Sequence, residues 1–205
     1  MFNMATIISA DEIKKDLPDY SPEKAESFHS ESAKLADKYF YEKLKSQHFD
    51  EVILLCGGAA SGKTEFLATH LINKDSCLIF DTTLSTEIGA KVKFERIAKK
   101  KIKPVIFAVI PDDLKRAFIA FLHRDRKFSD NHFYRTHSGS RGTLLFIAKN
   151  YPSIKINLVE SSYTKKDDKL QFKKIEFNNR ELLISYLNSL QMTETAIISY
   201  IQSIL

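Results

Sequence analysis

The sequence predicts an α/β protein with a mainly parallel sheet flanked by helices. Two observations predict it. Apolar runs of strand length at 52–56, 77–80, 105–110 and 154–159 alternate with longer segments of helical spacing. That is the pattern of a parallel sheet covered on both faces. Between the first run and the helix-compatible segment 65–71 stands Gly57-Gly58-Ala59-Ala60-Ser61-Gly62-Lys63-Thr64. It fits G-x-x-x-x-G-K-[ST] at every fixed position.

Strand, glycine loop and helix in that order form a phosphate-binding loop, and the residue types follow from the task. Successive backbone N–H groups must turn inward around a phosphate chain, and glycine and alanine leave that concavity open. The helix that starts at the loop adds its free N–H groups and its dipole. Lys63 can reach the β- and γ-phosphates, and Thr64 can offer its hydroxyl to Mg²⁺. The fold class is therefore the P-loop NTPase/kinase fold. Gly57, Gly58, Ala59, Ala60, Ser61, Gly62, Lys63 and Thr64 are the expected ATP-binding residues. In such sheets ligands bind at the carboxyl ends of the strands.

The other elements follow along the chain. Residues 4–8 read as a short strand. Residues 23–46 read as one long helix or two, with Leu35, Ala36, Tyr39, Phe40 and Leu44 at helical spacing. The second strand ends at Asp81, and Ser85 is placed to cap a helix over 87–101. The 105–110 run is uninterrupted and reads as a central strand. Pro111, Asp112 and Asp113 mark a helix start, with the helix reaching about His123. Residues 124–139 lack apolar periodicity and hold Arg124, Arg126, Lys127, His132, Arg135, His137 and Gly139. They read as a long basic connection of the kind that forms lids. A helix over 140–149, a strand over 154–159, a hairpin arm over 170–177 and helices near 180–190 and 193–204 complete the set. The last is amphipathic, with Ala196, Ile197, Tyr200, Ile201 and Ile204 on one face, fit to dock on its own sheet or to meet a partner. The expected organisation is one domain over 1–205: an N-terminal segment 1–50, a core 51–160 and a C-terminal part 161–205.

Composition sets limits. A chain of 205 residues with 43% hydrophobic and 28% charged residues can bury a substantial core. No apolar run approaches the roughly 18 residues of a membrane helix, and no basic region precedes the first apolar stretch. Neither a membrane span nor a signal peptide is expected, and the cytoplasm is the expected location. Cys56 and Cys77 each lie in an apolar run. They read as buried free thiols of a reducing compartment, too few for a four-cysteine zinc site. The net charge of +5 is dispersed, which argues against a nucleic-acid partner and suits a small polyanion.

Phosphoryl transfer needs Mg²⁺, a way to activate the attacking oxygen and positive charge near the moving group. Asp81, at a strand end, can hold Mg²⁺ through water or bind substrate. It can equally cap the backbone at Thr83 or Leu84. Arg124, Arg126, Arg135 and Arg141 can contact phosphate, and each has a surface ion pair as its alternative. His132 and His137 read as polar loop residues or supporting donors, since no carboxylate or histidine stands at metal-ligand spacing from them. Asn73-Lys74-Asp75 lacks a position needed for a guanine-specificity motif, which sets a regulatory GTPase aside. Ser9-Ala10-Asp11-Glu12 is a capping box.

The chain resembles the zeta toxin family of P-loop kinases over roughly residues 7–160. The phosphate loop is similar to that family's own. Phe80-Asp81-Thr82-Thr83-Leu84-Ser85 is similar to its strand-end motif, and the 124–137 segment with Arg141 to its arginine-bearing lid. Ile8-Ser9-Ala10-Asp11-Glu12-Ile13-Lys14-Lys15-Asp16-Leu17-Pro18 resembles its D-x-D-x-[hydrophobic]-[KR]-x-x-x-P segment, with Ser9 in place of the first acid. In the family this segment follows the phosphate loop, whereas here it precedes it, so the chain reads as a permuted relative. The resemblance implies that Asp11 is a general base. It would deprotonate a sugar hydroxyl of UDP-N-acetylglucosamine, which then attacks the γ-phosphate of ATP.

The resulting expectation is an ATP- and Mg²⁺-dependent small-molecule kinase. Asp11, Lys63, Arg124 and Arg126 are the catalytic candidates, Arg135 joins the nucleotide contacts, and Thr64 and Asp81 are the metal candidates. Glu31, Asp81 and Thr83 are candidates to contact a nucleotide-sugar acceptor. The resemblance allows an antitoxin or another protein as partner. The alternatives are a P-loop phosphotransferase acting on another nucleoside, sugar or RNA end, or a non-catalytic nucleotide-binding module.

Overall fold

The computed structural model describes residues 5–163 and 169–203. Met4 and Ile204, assigned above to a strand and to an amphipathic face, lie outside them. The strands are β1 (Thr6–Ser9), β2 (Glu51–Cys56), β3 (Cys77–Asp81), β4 (Pro104–Pro111), β5 (Lys155–Tyr163) and β6 (Leu170–Ile175). They form one six-stranded sheet in the order β1-β3-β2-β4-β5-β6. The first five are parallel, and β6 returns antiparallel to β5.

The helices are α1 (Ala10–Lys15), α2 (His29–Ser46), α3 (Lys63–Phe66), α4 (Glu87–Ala98), α5 (Leu114–Leu122), α6 (Asp130–Asn150), α7 (Arg180–Ser189) and α8 (Glu194–Gln202). A π turn, Leu67–Leu71, continues α3. The caps follow side-chain chemistry. Ser9, Asp113, Asn179 and Thr193 each accept a backbone N–H at the start of a helix. Thr86 caps α4, one residue beyond the expected Ser85, and that helix ends at Ala98.

Alternation along the strands explains the core. Val52, Leu54 and Cys56 pack with Leu78, Phe80, Ile106, Ala108 and Leu158 on one face, beneath residues of α2, α4, α6 and α7. Ile53, Leu55, Ile79 and Val109 pack on the other, with Phe66 and Leu71. Residues 52–56 are all at 0% exposure. Burying each such Leu, Ile or Val contributes about 1.5–3 kcal/mol. A third cluster joins Leu114, Phe118 and Phe121 of α5 to Phe133 of α6 and Ile197 and Ile201 of α8. The amphipathic C-terminal helix thus docks on its own chain. Both cysteines are buried free thiols.

The expected long lid over 124–139 is overturned. Helix α6 begins at Asp130 and runs 21 residues. Only residues 123–129 connect it to α5, and that connection is tied down. Ser129 binds Glu26 through both its backbone N–H (2.8 Å) and its hydroxyl (2.7 Å). The Lys127 N–H reaches the Pro22 carbonyl at 2.9 Å. The first half of α6 buries His132, Thr136, His137, Ser140 and Arg141, so apolar periodicity cannot find it. Thr136, His137 and Arg141 bond backbone of neighbouring elements, and His132 packs against the rings of His29 and Phe128.

Candidate functional site

Parallel pairing puts the strand ends on one edge. Ser9 at the end of β1 lies opposite Asp81 at the end of β3. This brings Asp11, two residues past β1, beside the strand that follows the phosphate loop. The segment precedes the loop in sequence, yet the sheet order returns it to the loop's edge. A cleft of about 420 Å³ opens there, lined by Asp11, Lys63, Thr64, Asp81, Thr83 and Arg124 among others.

The loop is held from behind. The Thr136 hydroxyl accepts the Ala59 N–H at 3.1 Å, and the His137 Nε2–H donates to the Ala59 carbonyl at 2.8 Å. The Ser161 hydroxyl donates to the Ser61 carbonyl at 2.8 Å. A Cβ on Gly58 would meet the His137 ring at 2.5 Å. One on Gly62, at φ +88°, would meet Leu170 at 2.2 Å. Both glycines therefore allow a close approach that no other residue permits. Lys63 Nζ lies 3.1 Å from the Gly57 carbonyl and 3.4 Å from that of Gly58, partly exposed at the cleft. Ser61 Oγ is buried with no protein partner. Open glycines, a cleft-lining ammonium and an orphaned hydroxyl fit a phosphate chain. Thr64, with the Asp81 carboxylate, fits a hydrated Mg²⁺.

Asp11 and Asp81 sit in different fields. Burial raises the Asp11 carboxyl, but Arg126 above all, then Lys14, Arg124 and Lys63, outweigh it and hold the pKa down at about 2. Arg126 pairs with Oδ2, and Lys14 approaches Oδ1 at 3.4 Å. Burial raises Asp81, against the pull of Lys63. Ser9 stands between the two acids: its hydroxyl accepts the Asp11 N–H at 3.3 Å, and its backbone lies opposite Asp81 in the sheet. Asp81 is not the local cap that its position allowed, because the Leu84 N–H goes to Thr82 Oγ1 at 3.2 Å.

Three expectations fall elsewhere. Glu31 is exposed and lines a separate shallow depression on α2, because the turn of α2 that reaches the cleft carries His29, Ala33 and Ala36 instead. Arg135 is exposed and is not among the cleft's lining residues, since α6 turns its other face to the loop. Arg141 is 6% exposed and donates to the Leu190 carbonyl at 3.0 Å, joining α6 to the end of α7.

Beside the candidates stand Lys14, His29, Phe128 and the Asp37–Lys93 ion pair (2.9 Å), both of whose members line the cleft; the sequence assigns none of them a role. The basic position of the Asp11 segment was the available signal for Lys14. For the others no spacing rule applies.

The histidines support the site as neutral rings. Burial pushes His137 down to about 3, against its hydrogen bond to Ala59. Burial, then the neighbouring His29, pushes His132 down to about 4. Unfolding returns both rings to water, where they take a proton near 6.5. Below that pH the unfolded chain binds more protons, so stability falls as pH drops toward the folded values. The urea midpoint is expected to be lower at pH 5 than at pH 7, and His137→Gln to flatten that dependence. Asp11 acts in the same direction only below about pH 4. Equal midpoints at the two pH values would mean that the rings are protonated when folded.

Fold and loop together define a P-loop α/β protein. No protein-family model matches the chain, and no curated protein matches it. Among solved structures, the AvrRxo1-ORF1:-ORF2 complex with ATP aligns at a TM-score of 0.49 and 12% identity, over 75% of this chain and 68% of that one. The native complex aligns at 0.49 and 12%, over 80% and 73%. The complex with sulphate ions aligns at 0.47 and 12%, over 75% and 68%. At this level of likeness nothing that those proteins bind is carried over to this chain. Among the described residues no helix is long and apolar enough to cross a membrane.

Proposed function

We propose that this chain is an ATP-dependent kinase of the zeta toxin type, transferring the γ-phosphate to a hydroxyl of a nucleotide sugar such as UDP-N-acetylglucosamine. The observation that carries the reading is the return of Asp11 to the phosphate-loop edge, on one cleft with Lys63, Asp81 and Arg124. A carboxylate beside the phosphate cradle can take the proton of an attacking hydroxyl.

The backbone of 57–64 and Lys63 hold the phosphates, and Arg124 supplies charge where it develops in transfer. Thr64 and Asp81 would hold Mg²⁺, which would supply positive charge against the phosphate oxygens. Thr83, beside Asp81, contacts the acceptor. The acceptor hydroxyl gives its proton to Asp11 as its oxygen bonds the γ-phosphorus. The bond from that phosphorus to the bridging oxygen breaks, and the electron pair stays on ADP. A carboxylate with a pKa of about 2 is a weak base. That suffices for a loose transition state, in which the nucleophile loses its proton late. Arg126 can leave the carboxylate for phosphate, to which its guanidinium binds as readily. An antitoxin protein is the partner proposed alongside.

Incubation with labelled ATP, Mg²⁺ and a panel of nucleotide sugars, nucleosides and RNA ends, read by mass spectrometry, tests this. A phosphorylated nucleotide sugar is expected. Transfer only to nucleosides or RNA ends points to another phosphotransferase, and ATP binding without any transfer to a binding module.

A further inference from the structure

Lys14 is the anomaly of this molecule. Its side chain has 0% exposure, although it sits on a six-residue helix at the edge of the cleft. An ammonium cut off from water needs compensation, and an apolar residue in its place is often no less stable. Two contacts provide that compensation. Nζ lies 3.4 Å from Asp11 Oδ1, one turn back, and 4.7 Å from the centre of the Phe128 ring. Burial lowers the lysine's own pKa, and the Asp11 charge opposes that.

The other cation on Asp11 differs in kind. Arg126 takes Oδ2 from the 123–129 connection and keeps 21% of its side chain exposed. The two carboxylate oxygens are thus held unequally: one by a buried residue of the same helix, the other by a solvent-reached guanidinium.

We propose that Lys14 is the positioning residue of Asp11, fixing Oδ1 so that Oδ2 is the oxygen that receives the acceptor's proton. This rests on the kinase reading above. Phosphate draws Arg126 away and frees Oδ2, while Lys14 stays and keeps the carboxylate from turning. Lys14 touches neither substrate nor phosphate, so its effect passes through Asp11 alone. The remaining groups whose charge reaches Asp11 are Arg124 from the same connection, Lys63 from the phosphate loop, and Asp81 and His29 from β3 and α2.

The test uses the full chain with Lys14→Met, Asp11→Asn and the double variant. Hydrolysis of MgATP, with water in place of the acceptor hydroxyl, gives kcat and the KM for ATP. Carbon-13 carboxylate NMR gives the Asp11 titration in the wild type and in Lys14→Met, with Asp11→Asn assigning the signal. Lys14→Met is expected to lower kcat about 10- to 100-fold, the scale of a misplaced reacting group, with the KM for ATP within about two-fold. Its Asp11 signal should titrate at higher pH than in the wild type. Adding Lys14→Met to Asp11→Asn should lower kcat no further, because residues acting as one unit are not additive. Losses that multiply, or an Asp11 titration that does not move, would assign Lys14 to packing and overturn the proposal. Wild-type hydrolysis by Asp11→Asn would overturn the base assignment itself, separately from what Lys14→Met shows.

Discussion

Lys63→Ala is expected to abolish phosphoryl transfer and leave the fold in place. Lys63 is the one ammonium on the phosphate loop and lines the cleft, and its present partners are the carbonyls of Gly57 and Gly58. Those carbonyls belong to a loop that Thr136, His137 and Ser161 hold independently. Removing Nζ therefore costs little stability, within about 1 kcal/mol, the net worth of an ordinary hydrogen bond. In transfer it removes a charge aimed at the moving phosphoryl, where one oriented donor is worth about 10²–10³ in rate and a full cation more. Lys63→Arg should restore little, because a planar fork does not replace a compact point charge at the end of a flexible stem. Transfer rate and thermal melting measured on the same preparation decide it. A variant that melts normally and keeps full activity would show that the loop does not bind the reacting phosphates.

Much of this arrangement was legible in the sequence, and the part that was not has a physical cause. Residues 52–56 and 57–64 announce strand and loop because burial on both faces and a backbone-lined cradle each demand particular residue types. Asp81 stands at a strand end in sequence and in space. The first half of α6 is hard to read because most of its buried side chains are polar, Phe133 and Tyr134 excepted: Thr136 and His137 satisfy the Ala59 backbone, and a hydrophobic pattern has no symbol for such a surface. Without that helix, 124–139 looked like a lid, and Arg135 and Arg141 like lid arginines. Glu31 failed for a related reason. Glu31 stands two positions from both His29 and Ala33, which turns it about 200° around α2 from them, and no rule fixes which face meets a cleft before the sheet order is known. The same sheet order placed Asp11. Only the pairing of β1 with β3 brings a segment that lies before the loop in sequence beside the strand that lies after it.

Asp11→Asn is expected to lower turnover by about 10²–10⁴, the usual worth of general-base assistance, with ATP affinity nearly unchanged. Helix capping cannot account for such a loss. Ser9 supplies the cap of α1, and what it accepts is the backbone N–H of residue 11, which the substitution keeps. Stability is the competing explanation. The amide leaves the fully buried Lys14 ammonium without its counter-charge, a change that costs about 1–3 kcal/mol. Assays well below the melting temperature of the variant separate the two effects. Combining Asp11→Asn with Lys14→Met removes the stranded charge, so the double variant should melt above the single one and still turn over slowly. If turnover instead returned with stability, Asp11 would be an electrostatic strut for α1, and the proton acceptor would have to be sought at Asp81, the other carboxylate on the edge. Slow turnover in a chain that is again stable would leave the missing carboxylate as the cause.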